Sequence, residues 1–176
     1  MRSNKIVERE KKALMVKLQS LQFAESDREL LKFGRRIGVA PAMEYLGFVS
    51  SVYTIDQAWQ IATDADHPDA TIIMDPFHIL RGGGSLESIA KVPGEKVAIW
   101  HWNDVPDTQP INQQTDADRV LPGDGVGPLM QIERLARQQG YSGFVSLELF
   151  NPQLWERNPE EVARIGLDKM QAYFAN

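Results

Sequence analysis

The sequence predicts an α/β fold in which repeated βα units build a parallel sheet. Two observations carry that reading. Four short apolar runs, Val39–Leu46, Thr71–Asp75, Lys96–Trp102 and Gly143–Leu149, are each followed by a stretch with helical periodicity. The runs recur about every 25 to 45 residues with a helix in each gap, the spacing expected of strands whose parallel neighbours are reached through crossovers. At 176 residues, with 43% of them hydrophobic, the chain can bury the core of one domain.

Taken in order, the first segment, Asn4 to Phe23, places Ile6, Val7, Leu14, Leu18 and Leu21 among Lys and Glu, as in an amphipathic helix. Ser26 and Asp27, with Glu29 behind them, then predict the cap of a second helix with Leu30, Leu31 and Phe33 as its apolar positions, ending near Gly38. The helices expected after the four runs are Thr54–Ala65, Ser85–Lys91, Gly127–Gln139 and Pro159–Phe174. The plan is therefore one domain over residues 1–176, with N-terminal helices in 1–37 and four βα units in 38–176. A long segment from Val105 to Gly123, rich in Asp, Gln, Pro and Thr, interrupts the alternation, and such loops are usually functional or mobile. It is placed over the mouth of a site.

Charge and composition exclude several function classes. A net charge of -5 and a pI near 5.2 do not suit a surface that displaces counterions from nucleic acid. No apolar run approaches the roughly 20 residues of a membrane helix, and the first residues lack a signal-peptide core, so a cytoplasmic protein is expected. The chain has no cysteine, which leaves any metal to His and carboxylate ligands.

The ionisable residues fall at the ends of the runs. Glu44 lies near the end of the first, Asp75 ends the second, and His101 and Glu148 come late in the third and fourth. Parallel α/β sheets build sites at C-terminal strand ends because successive strands deliver side chains there to a common rim. Three oxygens and one nitrogen without sulfur suit Mn²⁺, Mg²⁺, Co²⁺ or Zn²⁺. His78 in DPFH is placed to reach the site as a substrate ligand or proton carrier. Asp104 in HWND is placed as a substrate-side or orienting carboxylate, and Arg119 before LPGDG as a clamp for a substrate hydroxyl or carboxylate. His67 reads as a surface-loop residue, and Gly82 to Gly84 as a flexible loop rather than a phosphate cradle. Trp100 and Trp102 flank His101 in opposite strand phase, so at least one should pack under the outer helices, while Phe150 and Trp155 are pocket wall or core.

The segments AMEYLGF, IIMDPFHILRGG, VAIWHWNDV, DRVLPGDGVGPL and GYSGFVSLELFNP resemble the successive metal and substrate motifs of the xylose-isomerase-like barrel superfamily. Within it they look most similar to the sugar phosphate isomerase/epimerase group of inosose isomerases, inosose dehydratases, hydroxypyruvate isomerases and ketose 3-epimerases. The resemblance spans about residues 35 to 174. A full barrel has eight βα units and typically about 250 residues. Four runs match the last four of the family, so the resemblance implies a (β/α) TIM-barrel fragment, the C-terminal half, with about four parallel strands and flanking helices.

The resemblance further implies that Glu44, Asp75, His101 and Glu148 bind one divalent metal ion, Mn²⁺ first, with Glu44 and Glu148 doubling as the acid/base pair. His78 and Arg119 match positions that contact substrate oxygens. The implied activity is sugar or inosose isomerisation or epimerisation through a metal-stabilised enediolate, on a sugar, keto-inositol or related polyol. The alternatives are a 3-dehydroshikimate-type or inosose dehydratase and an inactive, partner-binding half barrel. Related apurinic endonucleases need additional His ligands and a basic groove, which three His and an acidic chain do not offer. An open half barrel also favours association, with a second copy or with a missing N-terminal half.

Overall fold

The computed structural model describes residues 2–174, with side chains described for Lys5 and from Glu8 onward. The expected apolar positions Ile6 and Val7 lie outside the described side chains. The elements are α1 (Arg2–Ile37), α2 (Ile55–Asp64), β1 (Ile72–Met74), α3 (Pro76–Arg81), β2 (Val97–Trp102), α4 (Leu129–Gln138), β3 (Val145–Leu147), α5 (Pro152–Trp155) and α6 (Pro159–Phe174).

The two expected N-terminal helices are one helix of 36 residues. Ser26 does not cap a new start. Its hydroxyl donates back to the carbonyl of Gln22 at 3.0 Å, so the helical ladder continues through it. The helix stops where Gly38 takes a positive φ of 73°, a conformation that suits a glycine after a last turn. The face that packs is Ala24, Asp27, Leu31 and Gly34, at helical spacing, whereas Leu30 and Phe33 are exposed.

The sheet is three-stranded and parallel in the order β1-β2-β3. The first apolar run contributes one bridge rather than a strand: the Met43 N–H donates to the Thr71 carbonyl at 2.9 Å, and the Met43 carbonyl accepts from the Ile73 N–H at 2.8 Å. Pro41 lacks the N–H that would extend this pairing upstream, as suits an edge position.

The layers follow from strand parity. Ile72, Met74, Trp100 and Trp102 are buried under the helices, with Ala58 and Ala62 of α2 and Leu129 and Ile132 of α4 in the same core. Trp102 packs edge-on against Phe174 of α6 at 4.8 Å between ring centroids, and against Tyr173 at 5.9 Å. His101, in the opposite phase, points to the other face. Thr54 caps α2 with a capping box completed by Gln57. The helix expected at Ser85–Lys91 is a 3₁₀ helix over Leu86–Lys91. Among the described residues no helix is long and apolar enough to cross a membrane.

Candidate active site

The strand rim gathers Glu44, Asp75, His101 and Glu148. Glu44 follows the Met43 bridge, Asp75 follows β1, His101 is the penultimate residue of β2, and Glu148 follows β3. One potential ligand atom from each lies within 4.8 Å of all the others. His101 Nδ1 is 3.2 Å from an oxygen of Glu44 and 3.2 Å from an oxygen of Glu148. Neither contact has hydrogen-bond geometry, and this buried nitrogen has no other partner.

Crowding three carboxylates around one imidazole shifts their protonation. Glu148 and Glu44 together raise His101 to about 10 against the cost of burial, so it carries a proton at neutral pH. Burial pushes the Glu148 carboxyl up, but His101 and Arg119 outweigh it and hold the group at about 2. Asp75 is buried and its carboxyl is raised, with Arg119 and His78 opposing that rise. A sulfur-free set of three carboxylates and one imidazole, with an unpartnered ring nitrogen among them, fits a divalent cation.

Arg119 is the second organiser of the rim. The loop from Val105 to Gly123, which holds two short 3₁₀ turns, carries it inward until the side chain is about 1% exposed. Its Nη1 donates to Asp75 at 2.8 Å and to Glu148 at 2.7 Å, and its Nη2 donates to Asp116. The guanidinium lies between Phe77 and Phe150, 4.8 and 5.3 Å from their centroids, in cation–π geometry. Asn151 donates to the Arg119 carbonyl at 3.1 Å.

His78 sits among Tyr45, Phe48 and Phe77. The Gly47 N–H faces its Nδ1 at 3.3 Å, and Arg119 Nη2 faces its Nε2 at 3.0 Å. Burial first, and Arg119 as well, lower its pKa, and donors facing both nitrogens disfavour the imidazolium.

Asp104 requires a correction. Both of its oxygens are taken by backbone amides, from Val105, Gly123, Gly125 and Gly127, at 2.8 to 3.2 Å. The carboxylate organises a loop and leaves no oxygen facing a substrate. The sequence reading also missed Asn103 and Asp116. Asn103 is buried and donates to Asp75 at 3.0 Å while accepting from the Phe77 N–H at 3.1 Å. The only available signal was its place between His101 and Asp104 in HWND.

The sequence profile of the xylose isomerase-like TIM barrel family matches residues 13–173. The chain belongs to that family. Among its relatives, the inosose isomerase of Halalkalibacterium halodurans is 33% identical over 141 residues, covering 80% of this chain and 50% of that protein. The 3-dehydroshikimate dehydratase of Pseudomonas putida is 32% identical over 121 residues, 68% of this chain and 18% of that protein. Among solved structures, the IolI protein with a bound zinc atom superposes with a TM-score of 0.81 at 30% identity, covering 86% of this chain and 54% of that one. The chain spans about half the length of the inosose isomerases it matches.

Within this member of the xylose isomerase-like family the other expectations divide. Trp100 and Trp102 are both buried on the helix side. Phe150 lies against Arg119, and Trp155 is exposed. His67 is partly buried, its Nδ1 accepting the Asp69 N–H in a loop turn.

Proposed function

We propose that this chain carries the metal and proton-transfer machinery of an isomerase acting on a polyhydroxy ketone of the inosose class. The observation that carries this reading is the convergence of Glu44, Asp75, His101 and Glu148 within 4.8 Å. Those four residues would hold one divalent ion, Mn²⁺ first, with Zn²⁺, Co²⁺ and Mg²⁺ as competitors. The ion, when bound, supplies charge stabilisation for the oxygens of a ketone and its neighbouring hydroxyl.

The remaining chemistry belongs to the side chains. Glu148, held ionised by the Arg119 guanidinium beside it, accepts the proton from the carbon beside the carbonyl. Glu148 returns that proton to the neighbouring carbon for isomerisation, while for epimerisation a protonated Glu44, also 3.2 Å from His101 Nδ1, delivers its proton to the opposite face of the same carbon. Arg119 and the neutral His78 orient substrate oxygens, while Phe48, Phe77 and Phe150 supply apolar surface beside them.

The test is proton exchange into inosose in D₂O, followed by NMR with Mn²⁺ present. Wild-type protein exchanges the proton beside the carbonyl, and Glu148→Gln slows exchange by about 10²–10⁴-fold. Equal rates would reject the assignment. The dehydratase relative supports a second reading, in which the same base removes the proton and a β-hydroxyl leaves as water. With 3-dehydroshikimate, that reaction yields an aromatic product visible by ultraviolet absorption.

A further inference from the structure

We infer that Asp104 is a positioning residue that holds Arg119 over the carboxylate cluster by templating the loop after it. The inference rests on the metal-site reading above and extends it to a residue outside the ligand set. Asp104 lies three residues beyond His101, and its backbone pairs with Val120, next to Arg119, through two hydrogen bonds of 3.0 Å. The Val126 N–H closes the far end of the loop on the Val105 carbonyl at 2.9 Å. Inside this wrap one Asp104 oxygen accepts from Val105 and Gly127, and the other from Gly123 and Gly125.

The alternate glycines of GDGVG keep that wrap free of side chains. A Cβ at Gly125 would collide with the Val105 carbonyl oxygen and lie 2.7 Å from Asp104 Oδ1, and one at Gly127 would lie 2.6 Å from Asp104 Oδ1. Gly123 adopts a φ of 84°, a conformation an L side chain disfavours. The loop therefore closes around the Asp104 carboxylate with no side chain in the way. A buried carboxylate satisfied by amide donors is fixed strongly, since charge-assisted bonds are about twice as strong as neutral ones. The link passes from Asp104 through Val120 to Arg119, and so to Asp75 and Glu148.

The test uses amide exchange and Mn²⁺ calorimetry on the whole chain. Asp104→Asn puts an amide donor against backbone donors, so exchange across residues 119–127 should quicken about tenfold or more. Mn²⁺ should bind roughly tenfold more tightly, because a loosened Arg119 no longer neutralises Asp75 and Glu148. Arg119→Gln should tighten Mn²⁺ binding similarly, and adding Asp104→Asn to it should change affinity less than about twofold. Gly127→Ala keeps the Asp104 charge but displaces its carboxylate. It should give the same signature at smaller size, and it carries the test if Asp104→Asn does not fold.

A merely structural Asp104 would lower the melting temperature with no coupling to Arg119. Additive effects of the two substitutions, or unchanged exchange over 119–127 in Asp104→Asn and Gly127→Ala, overturn the inference. Failure of the wild-type chain to bind Mn²⁺ or Zn²⁺ overturns the metal reading instead. The positioning role then stands or falls on the exchange data alone.

Discussion

The strand rim and the first half of α1 are opposites in how they treat side chains. At the rim, Arg119 touches Asp75, Glu148, Asp116 and His78 at once, and Asn103 ties Asp75 to the start of α3. Along α1, Leu14, Met15, Val16, Leu18 and Leu21 face outward, each about half exposed or more. Ten residues later the same helix buries Ala24 and Leu31 against the barrel units. The donor set that does chemistry is cross-bonded within this chain, while part of the outer wall has no covering layer among the described residues. Stability and site geometry therefore reside in the βα units, and the front of α1 contributes little to either.

The largest expected break in that contrast is Trp102→Ala. Trp102 is fully buried between Trp100 and the end of α6, directly beneath His101 in the strand. Its loss should cost about 3–5 kcal/mol, measured by urea unfolding, and should detach α6 from the sheet. Leu31→Ala follows at about 2–3 kcal/mol, because Leu31 is 1% exposed in the core cluster. A result near zero for Leu31 would mean that the back half of α1 is as loosely held as its front.

Asp27 sharpens the comparison through pH. It faces inward on α1, and burial raises its carboxyl pKa, with His67 opposing the rise. A raised folded-state pKa means the folded protein holds the proton more tightly, so stability falls as pH rises from the ordinary value of 3.8 through the shifted one. The penalty is then complete at neutral pH. Asp27→Asn should raise the melting temperature by on the order of 1 °C at pH 7 and leave it unchanged below about pH 3.5. A gain equal at both pH values would show that charge burial is not its cause.

What the sequence made legible follows the same physical division. Helices with a strong period and a clear start were readable: the expected Pro159–Phe174 matches α6 residue for residue, and Thr54 is the cap of α2. The four run-end residues converge because strand ends in parallel sheets share a rim, which position in the sequence reveals. The substrate-side reading of Asp104 fails because its partners are main-chain amides, and amides have no letter in a sequence. Only the alternating Gly123, Gly125 and Gly127 hinted at something fitted closely against the backbone. The continuity of α1 was missed because Ser26 and Asp27 are cap-like residues. The hydroxyl's bond to Gln22 and the burial of Asp27 are tertiary and local facts that their identities do not announce.

The smallest effect expected is for Leu18→Glu. Leu18 is 48% exposed and lies among other outward apolar residues on the front of α1. A substitution that breaks no packing and buries no charge should shift stability by no more than about 0.5 kcal/mol. If the front of α1 were held by a layer formed when two copies associate, the same substitution would place a charge in an apolar interface. Sedimentation or light scattering would then show wild-type dimers that Leu18→Glu dissociates, with a concentration-dependent melting temperature in the wild type alone. Equal masses and equal unfolding midpoints for the two proteins would show that the exposed face carries no load in this chain, which leaves stability to the βα units.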